Sequence, residues 1–257
     1  MRRFENRSAL ITAAGSGLGR AMAFRLAQEG AVVTIWDRDA DALAEAEQEA
    51  RDAGLDVTGM ALDMTDAAAI DAAVARMLDA SGQIDILVNN IGGSLHTPFR
   101  FLEQSEEDWD RVMSVNVTAC VRTTRAVLPH MVAAGYGRVI NMGSKAGRFG
   151  SLFAGANYAA SKGAMQAFTL QIAQEFGPAG ITCNTLCPGA ILTPRVERLL
   201  SERQSEEERA KVLQSIPVRR HGTVEDIAAA VAYLASEEAG FVNGASLDIN
   251  GGQAMVI

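Results

Sequence analysis

The chain has 257 residues, of which 48% are hydrophobic, 21% charged and only 5% aromatic, with 24 Gly, 6 Pro and 3 Cys. These proportions exclude a disordered, collagen-like or disulfide-built molecule and leave enough apolar material for one large α/β unit. Lys plus Arg is 23 against 31 for Asp plus Glu, so a formal charge of -8 repels nucleic acid and anionic membranes, and neither is expected as a partner.

Short apolar runs alternate with longer helical stretches from end to end, the pattern of repeated strand–helix units around a buried parallel sheet. The predicted strands are Ala9–Thr12, Val32–Trp36, Val57–Leu62, Ile84–Val88, Val139–Met142, Thr182–Leu186 and Ser246–Ile249. No linker or repeat divides them, so residues 1–257 are expected to form one α/β domain: a doubly wound parallel sheet of about seven strands with helices on both faces. Ser105, Ser205 and Thr223 precede acidic clusters as helix N-caps, and these carboxylates are read as structural.

The first strand runs into Ala13-Ala14-Gly15-Ser16-Gly17-Leu18-Gly19-Arg20, and then into a helix with apolar Met22, Phe24 and Leu26 that ends at Gly30. Glycines at such a turn let backbone N–H groups approach a pyrophosphate, and the helix N-terminus favours its charge. The same turn is equally an ordinary strand–helix connection, and Arg20 stands where G-x-G-x-x-G would end. Asp37 follows the second strand at the distance from the glycines where a carboxylate accepts adenosine ribose hydroxyls. It would repel a 2′-phosphate, which favours NAD over NADP; the neighbouring Arg38 argues the other way.

At this point the chain resembles the short-chain dehydrogenase/reductase family, from the first strand almost to the C-terminus. The family's T-G-x-x-x-G-x-G is similar to Thr12 through Gly19, its adenine-side acid to Asp63, and its N-N-A-G to Asn89-Asn90-Ile91-Gly92. Ala13 replaces a glycine, a mild change if its φ is negative, and Ile91 replaces an alanine and adds bulk beside the coenzyme pocket. Asn116, Ser144, Tyr158 and Lys162 resemble the catalytic Asn, Ser, Tyr and Lys, and Pro188-Gly189-Ala190-Ile191-Leu192-Thr193 resembles P-G-x-x-x-T. Alone, a Tyr and a Lys four apart are simply neighbours on a helix face.

The resemblance implies a Rossmann-type fold and a coenzyme held by Gly15, Ser16, Gly17, Leu18, Gly19, Asp37, Asp63, Met64, Asn90, Gly92, Tyr158, Lys162, Pro188, Gly189, Ile191 and Thr193. It also implies hydride transfer between a secondary alcohol and NAD, with Tyr158 as general acid/base. A phenol ordinarily ionises at about pH 10, so a tyrosine base near neutrality needs a positive charge close by, which Lys162 one turn on can supply. Ser144 would donate to the carbonyl oxygen, Lys162 would also hold ribose hydroxyls, and Asn116 would hold a water leading to Lys162.

The stretch from about 190 to 222 is read as a substrate lid, with seven basic residues (Arg195, Arg198, Arg203, Arg209, Lys211, Arg219 and Arg220) against five acids. A solvated helix face explains them, and an anionic substrate is the alternative. The expected substrate is a small hydroxy acid, sugar acid or hydroxyacyl compound. The alternatives are an NADPH-dependent 3-oxoacyl-(acyl carrier protein) reductase and a non-catalytic dinucleotide sensor. Carrier docking is disfavoured by the charge of -8 and by Pro129 and Gln174 where such reductases present basic residues. The resemblance further implies a homotetramer built through helices near Ser105–Met131 and Tyr158–Phe176 and the last strand.

Cys120, Cys183 and Cys187 make an odd count without C-x-x-C, which points to a reducing, cytoplasmic location. The N-terminal residues lack the apolar run of a signal peptide, and no run approaches membrane-span length. His96, His130 and His221 lack ligand spacing, so no protein-held metal is expected.

Overall fold

The structure, a computed structural model, describes residues 2–151, 154–193 and 205–255. Seven strands form one sheet: β1 (Ser8–Thr12), β2 (Val32–Asp37), β3 (Val57–Ala61), β4 (Ile86–Asn89), β5 (Gly137–Met142), β6 (Ile181–Pro188) and β7 (Ser246–Ile249). Their order is β3-β2-β1-β4-β5-β6-β7, and every pairing is parallel. The helices are α1 (Gly17–Gln28), α2 (Ala40–Asp52), α3 (Ala67–Ser81), α4 (Glu106–Met113), α5 (Ala119–Ala134), α6 (Ala156–Phe176), α7 (Glu206–Gln214) and α8 (Val224–Ala235).

Side-chain alternation along each strand divides the core in two. Ala9 and Ile11 of β1, Val33 and Ile35 of β2, and Ile86 and Val88 of β4 pack with Met22 and Leu26 of α1, Leu43 of α2, and Ile227 and Val231 of α8. Leu10, Trp36 and Leu87 point to the opposite face, among Ile70 and Val74 of α3, Val127 and Met131 of α5, and Met165 of α6. Each fully buried Leu or Ile contributes roughly 1.5–3 kcal/mol, so both faces must stay covered and a one-residue register slip is excluded.

The seven strands agree with those read from the sequence, with shifted ends. β4 begins at Ile86 rather than Ile84, where its pairing with Ala9 of β1 and Arg138 of β5 starts; just before it Asp85 Oδ2 accepts from Ser8 N at 2.8 Å. β6 runs two residues past Leu186 because β7 pairs Cys187 with Asp248 and Pro188 with Ile249. Strands are added outward from β1 to β3 on one side and from β4 to β7 on the other, so the order of addition switches between β1 and β4, the place where such sheets open a ligand crevice beyond their C-terminal ends.

Candidate active site

The crevice is built by Thr12, the last residue of β1. Its hydroxyl accepts from Asn90 N at 2.9 Å and Ile91 N at 3.1 Å, and donates to Val88 O at 3.4 Å, tying the chain that leaves β4 to the end of β1. Asn90 Nδ2 donates to Ala13 O at 2.8 Å. This polar clasp determines the shape of the glycine turn. Ala13 has φ of +51°, so the negative φ that would have made it a mild replacement is not adopted; a left-handed alanine stores about 1–2 kcal/mol of strain. Ile91 is buried in the apolar cluster that holds Leu10, Met64 and Cys120.

The turn fits a dinucleotide phosphate. A Cβ on Gly19 would sit 2.5 Å from Ala13 O and 2.8 Å from Asn90 Nδ2, so only glycine allows this approach. Gly17 has φ of +57° with open space above it. Ser16, the N-cap of α1, makes no capping bond, and the first turn through Leu18 contains no acid, leaving the N–H groups of a helix start for an anion. Asp37 closes the far side, its Oδ2 accepting from Gly15 N at 3.0 Å.

Asp63 lies just beyond β3 and is exposed. Its Oδ1 accepts from Thr65 N at 2.8 Å and Thr65 Oγ1 at 2.7 Å. Those two bonds, and then the Arg38 charge, hold its carboxyl below the ordinary value. Arg38 is thus within electrostatic reach of Asp63. Met64 is buried beneath it in the core.

The second half of the site lies on α5, β5 and α6. Between α4 and α5 the helix widens into a π turn over Ser114–Thr118, where Ala119 N reaches back to Ser114 O. Asn116, fully buried there, accepts from Gly93 N through Oδ1 at 2.9 Å, and its Nδ2 donates to Gly93 O at 3.1 Å and Ser161 Oγ at 2.8 Å. Gly92 has φ of +146°, and a Cβ on it would lie 2.9 Å from Asn116 Oδ1 and 3.1 Å from Lys162 Nζ. Lys162 is 4% exposed, and its Nζ donates to Met142 O at 2.7 Å and stands 5.9 Å from the Tyr158 ring centre. Among the described residues no carboxylate pairs with this ammonium.

Ser144 follows β5, and its Oγ accepts from Ala146 N at 3.1 Å, starting a short turn over Lys145–Gly147. That turn presses on α6: a Cβ on Gly147 would meet the backbone of Lys162 and Gly163 at 2.7 Å. Pro188 and Gly189 leave the end of β6, with Gly189 N donating to Ile249 O at 3.0 Å. Ile191 is buried and bridges to Gly222, and Thr193 is the last described residue before 205.

Of the lid, Arg195, Arg198 and Arg203 lie outside the described residues. In the part that is described, Lys211 pairs with Glu207 at 2.8 Å and Arg220 with Asp226, the behaviour of a solvated face.

Two contributors escaped the sequence reading. Asn157, buried and immediately before Tyr158, donates to Thr97 Oγ1 at 3.2 Å, and its Oδ1 accepts from Tyr158 N at 2.7 Å. It therefore ties the loop after Gly93 to the start of α6. The Thr12 hydroxyl is the other: only its position beside β4 reveals its use. Among the described residues no group of three His, Cys, Asp or Glu could hold a metal ion, and no helix is long and apolar enough to cross a membrane.

Comparison with known proteins gives the family. Residues 12–254 match the family described as enoyl-(acyl carrier protein) reductase. The short-chain reductase protein NovJ of Streptomyces niveus is 38% identical over 249 residues, covering 95% of this chain and 93% of that protein. The 3-oxoacyl-[acyl-carrier-protein] reductase FabG of Vibrio cholerae is 38% identical over 253 residues, covering 98% and 99%. Among solved structures, one described as a candidate gluconate dehydrogenase from Agrobacterium tumefaciens is 33% identical, with a TM-score of 0.91 over 99% of this chain and 98% of that one. The chain belongs to the short-chain dehydrogenase/reductase family, in its 3-oxoacyl reductase-like branch, and is an NAD(P)-linked oxidoreductase acting on CH–OH groups.

Proposed function

We propose that the chain is an NAD-dependent dehydrogenase that interconverts a secondary alcohol and a ketone on a small hydroxy acid, sugar acid or hydroxyacyl substrate. The observation that carries this reading is the buried Lys162 ammonium, paired with no carboxylate among the described residues and one helical turn from Tyr158. Such a charge stabilises negative charge on the phenol oxygen as Tyr158 exchanges a proton with the substrate hydroxyl. Bound NAD supplies the hydride acceptor. Ser144 donates to the oxygen on which charge develops, Lys162 holds ribose hydroxyls, and Asn116 keeps Gly92 and Gly93 against Lys162.

The coenzyme is held by the turn Gly15, Ser16, Gly17, Leu18 and Gly19, by Asp37, Asp63 and Met64 on the adenosine side, and by Asn90, Gly92, Pro188, Gly189, Ile191 and Thr193 toward the nicotinamide. Asp37, already bonded to Gly15 N, is set to accept ribose hydroxyls and to repel a 2′-phosphate, which favours NAD. Residues 1–257 act as one unit. Exposed Leu170 on α6 and Phe241 near β7 suit a homotetramer, which sedimentation would test. The three free thiols suit the cytoplasm.

The decisive variant is Tyr158→Phe, expected to keep NAD affinity while losing nearly all turnover; a variant that retains most of its rate overturns the reading. The curated relatives described as 3-oxoacyl-[acyl-carrier-protein] reductases favour a second reading, with a carrier-bound substrate and NADPH. Efficient NADPH-dependent reduction of carrier-bound 3-oxoacyl chains would establish it over the first.

A further inference from the structure

Lys145 sits next to Ser144 and has no role in the scheme above. It opens the turn that the Ser144 side chain caps, and Gly147 at the other end of that turn is pressed onto the backbone of Lys162 and Gly163. Lys145 is therefore fixed at the root, between the serine and the helix carrying Tyr158, and carries its ammonium on a flexible four-carbon stem.

Its surroundings are unusual for this chain. With 31 acids against 23 bases, carboxylates are plentiful, and cations nearby are satisfied: Arg148 pairs with Asp248 at 2.9 Å, and Lys162 donates to Met142 O. Lys145 is half-buried, yet among the described residues no ion pair or hydrogen bond of its side chain is found. The first turn of α6, beside it, carries no acid. Burial alone lowers its pKa, with no acidic neighbour opposing the shift. A partly desolvated cation without a counter-ion is unfavourable unless something charged arrives to meet it.

We propose that Lys145 binds a carboxylate of the substrate, so that the enzyme's natural substrate is an anionic hydroxy acid or its oxo acid, with the carboxylate a few bonds from the carbon that exchanges hydride. This rests on the dehydrogenase reading of the same site and narrows it. A neutral thioester end, as in a carrier-bound or coenzyme-A-linked acyl chain, would leave Lys145 unmatched.

The test measures binding without turnover. Calorimetry on the protein saturated with NAD, the oxidised form that cannot give hydride to a ketone, is run with pyruvate, acetoacetate and levulinate and with the methyl ester of each. These place the carboxylate progressively farther from the carbonyl. At least one acid is expected to bind tenfold or more tightly than its ester, Lys145→Gln to bring that ratio to within twofold, and Lys145→Arg to keep most of it. Equal binding of acid and ester in all three pairs, or a preference that survives Lys145→Gln, overturns the proposal. The two readings fail separately: acid preference in a protein that turns over no alcohol would defeat the dehydrogenase reading alone, and turnover without acid preference would defeat only the role of Lys145.

Discussion

The helix beginnings fall into two groups that differ in how their N–H groups are used. α2, α3, α4, α7 and α8 each start with a side chain folded back onto the first turn, from Asp39, Asp66, Ser105, Ser205 and Thr223. α5 continues the π turn without a break and has no free start of its own; of the helices that begin afresh, α1 and α6 start with none and carry no acid in their first turns. A missing cap forgoes about 1 kcal/mol, so the two exceptions are informative. α6 is closed from elsewhere, by Gln104 Oε1 at 3.3 Å from Asn157 N and by Asn157 Oδ1 on Tyr158 N. α1 has no such substitute, and its opening lies over the glycine turn. Capped helices are finished locally; the open one leaves its N–H groups for the proposed coenzyme.

The strongest way to break this contrast is to cap α1. Ser16→Asp gives the helix the side chain it lacks and should stabilise the coenzyme-free protein by about 0.5–1 kcal/mol. It also sets a negative charge against a pyrophosphate, where like charges a few ångströms apart are worth on the order of 3 kcal/mol at an effective dielectric of 20. NAD affinity, measured by fluorescence titration, should fall at least a hundredfold. An unchanged affinity would mean that α1 does not receive the phosphates.

Uncapping a finished helix should do the reverse. Thr223→Ala removes the acceptor for Asp226 N and should cost about 1 kcal/mol, a fall of about 2–4 °C in Tm, with NAD affinity kept within twofold. The partner in that cap also gives a pH signature. The Arg220 guanidinium and the Thr223 N–H hold the Asp226 carboxyl down to about 2. The unfolded chain therefore binds this proton first, so the contribution is present above the ordinary Asp range and is lost as pH falls toward 2. Arg220→Gln should flatten that part of the acid-unfolding curve, read by denaturant titrations between pH 5 and 2. Smallest is Ala13→Gly: release of left-handed strain, less the added chain entropy of glycine, should raise stability by about 0.5 kcal/mol, visible as a Tm higher by about 1–2 °C.

What could be read from the chain alone follows the range of the interactions. β1, the glycine turn and the start of α1 are contiguous, and the three capping boxes need only four residues each, so both were legible. Tyr158 and Lys162 lie one turn apart on one helix, and their shared side follows from periodicity. The φ of Ala13 was not legible, because it is imposed by Asn90 from 77 residues away. That Lys145 has no partner among the described residues was hidden for a similar reason, because it depends on everything folded around it. Asn157 carries no signal in the sequence, because its use depends on Thr97, Gln104 and α6 being brought together.

The π turn at Ser114–Thr118 ties loop geometry to helix length. One extra residue is accommodated there, and each helical residue turns the chain by about 100°. Deleting a single residue from this segment would straighten the helix and swing the Asn116 amide away from Gly93. The wall that shapes the crevice would then lose its support although every residue of that wall remained in place. Alterations of chain length in the middle of this helix are therefore felt at the candidate active site, whereas the same alteration in the exposed α7 would stay where it was made.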